Sequence, residues 1–323
     1  MGRPRPLPEQ LGRHFTVQDA AAVGVNRGRL RRTDLETPFR GVRLAGGSAT
    51  VDPDLDPYER QAIDLRIRAR QYAPRLRDGQ FFSHQTAIAL LGGPQPLIAR
   101  KSRALAGSDL PVHVATIGSG PLVRAVGVRA HRAPVSSETF TDRDGSRIAS
   151  PSTVWAQSGE MSLLDLVALG DYFCRVWREG VGRRDIGRPP LTTREELRGM
   201  LTGARRVGIR RLREALDLIR EDSWSPRESR LRCHLVLAGL PEPILNHDVH
   251  DRSGRFIGCV DLAYPQKRIA IEYQSILHHD RYSADVERIA ALRAAGWTVI
   301  EVTSDLLARP EVLVERVRQA LGP

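Results

Sequence analysis

Short apolar runs at Phe256–Tyr264 and Ile269–Tyr273 are separated by the turn Gln266-Lys267, and the pattern predicts one β-hairpin. Pairing symmetric about that turn sets Asp261 opposite Glu272, Cys259 opposite Gln274 and Ala263 opposite Ala270, because directly opposed residues share a face. The other face takes Val260, Leu262, Ile271 and Tyr273. Before the hairpin, Ser225-Pro226-Arg227-Glu228 reads as a helix start. After it, Asp285-Val286-Glu287-Arg288 reads as a helix, Gly296 as its stop, and Thr298–Val302 as a strand.

Towards the N-terminus, Thr16-Val17-Gln18-Asp19 resembles a capping box, with a helix through Val23 and a turn at Gly24. Asn26 can cap a second helix through about Arg32, and residues 37–44 read as a strand pair bending at Gly41. A linker at 52–57 precedes a helix over 58–72 and a short helix from Ser83-His84 to Gly92-Gly93. Strand-like alternation follows at 112–117 and 125–130, then helical patterns at 153–157 and 163–177. The Gly/Arg/Pro-rich stretch 180–190 is a linker, and helices resume to about Arg220. The expected fold class is mixed α/β, without internal repeats.

The hairpin carries the chemistry. Two carboxylates among small residues on one face repel each other unless a cation lies between them or basic partners stand nearby. Asp261 and Glu272 are therefore expected to hold a divalent ion through oxygen. The plain alternative is an antiparallel hairpin whose acids meet water. Glu228 likewise has two readings. With Ser225 as N-cap and Pro226 at the first helical position, it closes a capping box; it is also the acid that the helix presents before the hairpin. Asp285 and Arg288, three apart on a helix, fit a surface ion pair.

In order along the chain, Glu228-Ser-Arg-Leu-Arg, Val260-Asp-Leu-Ala-Tyr-Pro, Ile271-Glu-Tyr-Gln, His278-His279, Asp285-x-x-Arg and Leu292-Arg-Ala-Ala-Gly-Trp resemble the PD-(D/E)xK nucleases. The likeness is to the branch related to very-short-patch repair (Vsr-like) endonucleases. It implies a restriction-endonuclease-like domain over 223–323: a helix, a β-meander, a second helix and a final strand, forming a central mixed sheet flanked by helices. It also implies Asp261 and Glu272 as the metal-binding acids, Glu228 as the helical acid and DNA as substrate. One position departs from the pattern. Gln274 stands where the motif has lysine, and glutamine positions water but brings no positive charge. The branch often lacks this lysine and has a histidine after the strand, so His279, with His278 as second choice, would give acid–base help.

Zinc is disfavoured in this region by spacing. Cys174, Cys233 and Cys259 show no two-to-four-residue separation, and the scarcity of cysteine fits a reducing cytoplasm. The 323 residues suffice for two or three cores, and no apolar run reaches the roughly 18 residues needed to span a bilayer. A soluble, cytoplasmic protein is expected. The net charge of +11, nearly all arginine on the basic side, favours a polyanionic partner.

That charge concentrates near the N-terminus. Asn26, Arg27, Arg29 and Arg32 would lie in or beside a major groove if 14–44 is a helix-turn-helix, and would be a solvated arginine face if it is a plain helical hairpin. Phe15-Thr16, Asp19-Ala20, the run from Gly24 to Arg32 and Arg40-Gly-Val resemble the winged helix-turn-helix of abortive-infection (AbiEi-like) type IV antitoxins. The resemblance implies operator DNA binding, with a cognate toxin or a second copy of the chain as further partners. Residues 51–185 resemble the α+β middle domain that joins such a winged helix (1–50) to a nuclease-like domain, leaving 186–222 as a helical connector. His84, His113 and His131 there are expected to pack or cap. The function that follows is a DNA-binding, Mg2+-dependent endonuclease in defence or DNA repair. The alternative is a non-catalytic antitoxin or transcriptional regulator on a degenerate nuclease fold.

Overall fold

The computed structural model describes residues 6–202, 205–274 and 282–322, and the chain divides into two compact units, Met1–Ser158 and Gly159–Pro323. Both mix helices with sheets, as expected of the α/β class.

The first unit opens with β1 (His14–Thr16), α1 (Val17–Ala22), β2 (Leu35–Glu36) and β3 (Val42–Ala45), whose strands form an antiparallel sheet in the order β1-β3-β2. The expected capping box is present: Thr16 Oγ1 accepts the Asp19 amide at 3.0 Å, and Asp19 Oδ2 accepts the Thr16 amide at 2.9 Å. Asn26 also caps, its Oδ1 accepting the Arg29 amide at 2.8 Å. What it caps corrects the expectation of a second helix through Arg32. Only a single 3-10 turn forms, Arg29–Arg31. Leu30 is the turn's one buried residue, and Arg27 to Arg32 otherwise offers no apolar stripe whose burial could offset helix nucleation.

The rest of this unit comprises α2 (Pro57–Tyr72), β4 (Gln80–Phe82), α3 (His84–Leu90), the small hairpin β5 (Ala99–Arg100) and β6 (Arg103–Ala104), β7 (Val112–Ile117), β8 (Val128–Ala133), β9 (Thr139–Thr141), β10 (Arg147–Ala149) and α4 (Pro151–Gln157). Its sheet runs β8-β7-β4-β10-β9, with β7 parallel to β8 and antiparallel to β4. β7 is central and almost wholly buried, which accounts for its apolar run. β8 begins at Val128 rather than Ala125 because Gly127, at φ +78°, makes the turn into it.

The second unit comprises α5 (Leu163–Phe173), α6 (Arg194–Gly199), α7 (Ile209–Leu218), α8 (Pro226–Leu237), β11 (Ile244–His250), β12 (Phe256–Tyr264), β13 (Ile269–Tyr273), α9 (Tyr282–Ala294), β14 (Thr298–Val302), α10 (Ser304–Leu307) and α11 (Pro310–Leu321). The sheet order is β11-β12-β13-β14: an antiparallel meander, then a parallel partner reached through α9. The stop of α9 has a local cause. Gly296, at φ +85°, lets its own amide reach the Arg293 carbonyl and the Trp297 amide reach Leu292, a Schellman closure.

Helices cover the sheet on two cores. Leu262 and Ile271 pack with Leu231 and Leu235 of α8 and Leu313 and Val317 of α11. Ala263 and Ala270 pack with Val249 and Leu292 of α9, and Val260, expected beside Leu262, joins this second group. α5 packs on both α7 and α8. Buried Arg232 links them: it bonds Glu242 at 2.7 Å and the Leu218 carbonyl, and lies 4.0 Å from Asp171 of α5. Two arginines of the Glu-Ser-Arg-Leu-Arg motif are thereby accounted for structurally, since Arg230 pairs with Asp165.

Candidate functional sites

The expected hairpin register is present: Ala263 opposes Ala270, Leu262 opposes Ile271 and Tyr264 opposes Ile269. Regular pairing ends at Leu262–Ile271, one step before the two acids. Beyond that point the Tyr273 amide donates to Asp261 Oδ2 at 2.8 Å, so a carboxylate takes the place of a main-chain acceptor. Among the described residues, Cys259 has no partner on β13; on its other edge it pairs with Asp248 of β11, and the Gln274 amide donates to the Val302 carbonyl at 2.9 Å. Gln274 is half-buried at the end of β13; His278 and His279 lie outside the described residues.

Glu228 joins the two strand acids from α8. Ser225 Oγ accepts the Glu228 amide at 3.2 Å, as an N-cap should. The Glu228 carboxylate does not close the box on Ser225. Its Oε2 accepts the Trp224 amide at 2.9 Å and Asn246 Nδ2 at 2.9 Å. Asn246 sits between Leu245 and His247, which pair with Leu262 and Val260, and so it lies level with Asp261. Glu272 pairs in turn with Glu301 on β14. Asn246 was not foreseen as part of this row; the only local signal was a polar residue within an apolar strand start.

Arg288 supplies the positive charge. Its guanidinium meets Glu272 Oε1 at 2.6 Å and Oε2 at 3.3 Å, and Asp285 at 3.6 Å. The surface pair expected of Asp285 and Arg288 is thus one side of a larger arrangement. Gly258 makes room for it, since a Cβ there would come within 2.8 Å of Arg288 Cδ.

Electrostatics record the crowding. Burial, then the Asp261 charge, pushes Glu228 up to about 7. Glu272 rises to about 7 for the same two reasons in the same order, against the opposing pull of Arg288. Asp261 is raised by burial, with the Tyr273 amide and Arg288 resisting. Glu228 and Glu272 both sense the Asp261 charge between them. The oxygen donors suit Mg2+. Asp261 has Oδ2 on the Tyr273 amide and keeps Oδ1; Glu272 can serve only after Arg288 releases it.

At the N-terminus, Asn26, Arg27 and Arg32 are exposed. Arg29 is committed to Asp34 through two bonds, at 3.0 and 2.8 Å.

The structure also gathers residues that the sequence left scattered. His84 opens α3, His113 lies on β7 and His131 on β8, and their ligand nitrogens all lie within 4.8 Å of one another. His131 Nε2 is 3.1 Å from His113 Nδ1, and the His84 ring stacks on His131 with centroids 3.7 Å apart. Burial, then the neighbouring histidines, pushes His84 down to about 3; burial, then His131 and Arg129, does the same to His113. No spacing rule connects positions 84, 113 and 131, so only the parallel pairing of β7 and β8 could reveal the group.

No family model matches the chain, and no solved structure matches it. Two uncharacterized proteins of Mycobacterium tuberculosis, from strains CDC 1551 / Oshkosh and ATCC 25618 / H37Rv, are each 34% identical to it over 120 residues. The match covers 36% of this chain and spans 44% of each relative's length. Among the described residues, no helix is long and apolar enough to cross a membrane.

The two clusters predict opposite responses to pH. Folded Glu228 and Glu272 keep protons between 4.5 and about 7 that the unfolded chain has released, so this contribution is present below 4.5 and lost as pH rises towards 7. Folded His84 and His113 release protons that the unfolded chain holds between about 3 and 6.5, so theirs is present above 6.5 and lost as pH falls. Hydrogen exchange corrected for intrinsic rates should therefore show protection falling over 226–273 and rising over 80–133 between pH 5 and 6.5. Parallel slopes in both segments would contradict these assignments.

Proposed function

We propose that the chain is a DNA-binding protein whose second unit is a metal-dependent DNA phosphodiesterase of the restriction-endonuclease-like kind. The observation that carries this reading is the crowding of Glu228, Asp261 and Glu272 at the point where β12 and β13 stop pairing. Acids placed there gain from a cation and lose without one.

Asp261 and Glu272 would hold Mg2+, or Mn2+ in its place. Bound there, the ion would acidify a water and offset charge on the scissile phosphate. Glu228, held by the Trp224 amide and Asn246, fixes the third carboxylate of the set. Gln274 orients water by hydrogen bonding and supplies no charge. Exposed Arg227, whose guanidinium lies 5.0 Å from the Tyr273 ring centroid, brings a positive group to the end of β13. His279 remains the acid–base candidate by resemblance. Purified chain with supercoiled plasmid and Mg2+ should nick or cut it, and Asp261→Ala should reduce the rate by at least the roughly 100-fold typical of losing a principal stabilising group. Undiminished cleavage by Asp261→Ala rules out this site.

A second reading has its own observation. Arg288 already neutralises Glu272 through both oxygens, and Gln274 lacks the lysine charge. A nuclease fold retained as a DNA- or partner-binding platform, in an antitoxin or transcriptional regulator, needs nothing more. DNA binding that is equal in chelator and in Mg2+, with no cleavage in Mg2+ or Mn2+, is the outcome that selects it.

DNA recruitment is assigned to the winged segment, with exposed Arg27 and Arg32 on phosphates and Asn26 beside them. Arg29 is already paired with Asp34 and orders the turn. Replacing Arg27 and Arg32 with alanine should flatten the log–log salt dependence of binding by about one unit for each phosphate no longer neutralised. Single-turnover cleavage at saturating DNA should change little. An unchanged salt slope would make this surface a solvated arginine face.

A further inference from the structure

We propose that His84, His113 and His131 form a transition-metal site in the first unit: a three-imidazole centre for Zn2+ or a similar borderline ion, with one position open to an oxygen or anionic ligand. The inference does not rest on the nuclease reading, which concerns residues of the other unit.

Geometry carries it. The three ligand nitrogens already lie within 4.8 Å of one another before any ion is considered. The 3.1 Å between His131 Nε2 and His113 Nδ1 is close to the ~3.3 Å edge of a tetrahedron built on Zn–N bonds of about 2.0–2.1 Å. In the parallel register His113 is level with Arg129, and His131 with Ala115. The two histidines are therefore two positions apart on neighbouring strands, and their rings come together, with centroids 5.0 Å apart.

His84 reaches the pair from the start of α3, and the backbone is distorted to bring it there. Its φ of +48° lies in the left-handed region that side-chain-bearing residues rarely adopt. Ser83 Oγ lies 3.0 Å from His84 Nδ1 and fixes the ring, the role an outer-shell partner plays at metal-binding histidines. His113 is buried, and its Nε2 has no hydrogen-bond partner. A buried cluster of imidazoles is a costly way merely to pack a sheet, and ion binding would turn the stacked His84 and His131 rings so that their lone pairs converge.

The donor set selects the ion. Three imidazoles without an acid suit Zn2+, Cu2+, Ni2+ or Fe2+ and are unsuited to Mg2+ or Ca2+. Among the described residues, no carboxylate or thiol joins the group. Three protein ligands leave a fourth tetrahedral position open, and His84 and His131 are only partly buried, so solvent can reach it. Arg129, whose charge is felt at both His84 and His113, favours an anion or hydroxide there.

The test uses the full chain, stripped with chelator, dialysed and titrated with Co2+ and Zn2+. With excess Mg2+ present to occupy the acid site, one Co2+ per chain should bind with the visible ligand-field bands of a four-coordinate centre, and Zn2+ should displace it. His131→Gln should weaken affinity by more than the roughly 10–100-fold that outer-shell changes cost, while circular dichroism shows it folded. His84→Gln gives an independent second loss, and His250→Gln, at an exposed histidine of the other unit, should bind as the unaltered chain does. Folded protein that takes up neither ion overturns the proposal. So does binding that survives His84→Gln and His131→Gln, or that disappears with His250→Gln.

Discussion

Carboxylates buried side by side in a protein repel one another, and the second unit is arranged around that repulsion. Glu228 and Glu272 are both almost fully buried, with Asp261 beside them. Three local devices hold them. The Trp224 amide and Asn246 bond Glu228, the Tyr273 amide bonds Asp261, and Arg288 bridges Glu272. Each device depends on a feature of the fold: an N-terminal turn of α8, strands that stop pairing, and a glycine at 258 that admits the arginine stem. Arg288 can therefore be viewed as a resident cation. On the proposed reading, a divalent ion entering the site would compete with it for Glu272.

Elsewhere in that unit, buried charges are paired with one another, though Asp171 Oδ2 and Arg232 Nε make no hydrogen bond among the described residues. Asp171 of α5 is raised to about 6 by burial, although Arg232 and the Arg220 amide both favour its ionised form. Arg232 in turn holds Glu242 and the Leu218 carbonyl. Breaking such a network by removing one partner leaves an uncompensated charge and costs about 3–5 kcal/mol. The arginines of the motif at 228–232 thus serve the scaffold, while its glutamate faces the acids. Arg230 lies across the helix from Glu228, whereas Arg232 is one turn further along the same face, so the two tasks are divided along α8 as well as around it.

Much of the second unit was legible in the sequence because alternation is read on a two-residue period and the turn at Pro265–Lys267 fixes the register. The helix stop at Gly296 and the cap at Ser225 followed from their own chemistry. What escaped were long-range consequences. Asn246 and Arg288 enter the acid site from elements 15 to 27 residues from Asp261, by pairing and by packing that no local pattern encodes. The basic segment at 27–32 forms only a single 3-10 turn, because capping by Asn26 starts a helix but only an apolar stripe sustains one. The histidine cluster joins a helix start and two parallel strands, and parallel pairing leaves no short spacing to recognise.

The central claim is that the acids at 228, 261 and 272 form a site for a divalent cation. Carboxyl-carbon NMR of protein labelled at Asp and Glu side chains measures this directly, by following each resonance against pH with and without Mg2+. In the metal-free protein, Glu228 and Glu272 should titrate near 7, and saturating Mg2+ should move the Asp261 and Glu272 titrations to markedly lower pH as the ionised forms are held. Titrations that lie at ordinary glutamate values, or that Mg2+ leaves unmoved, would contradict the account.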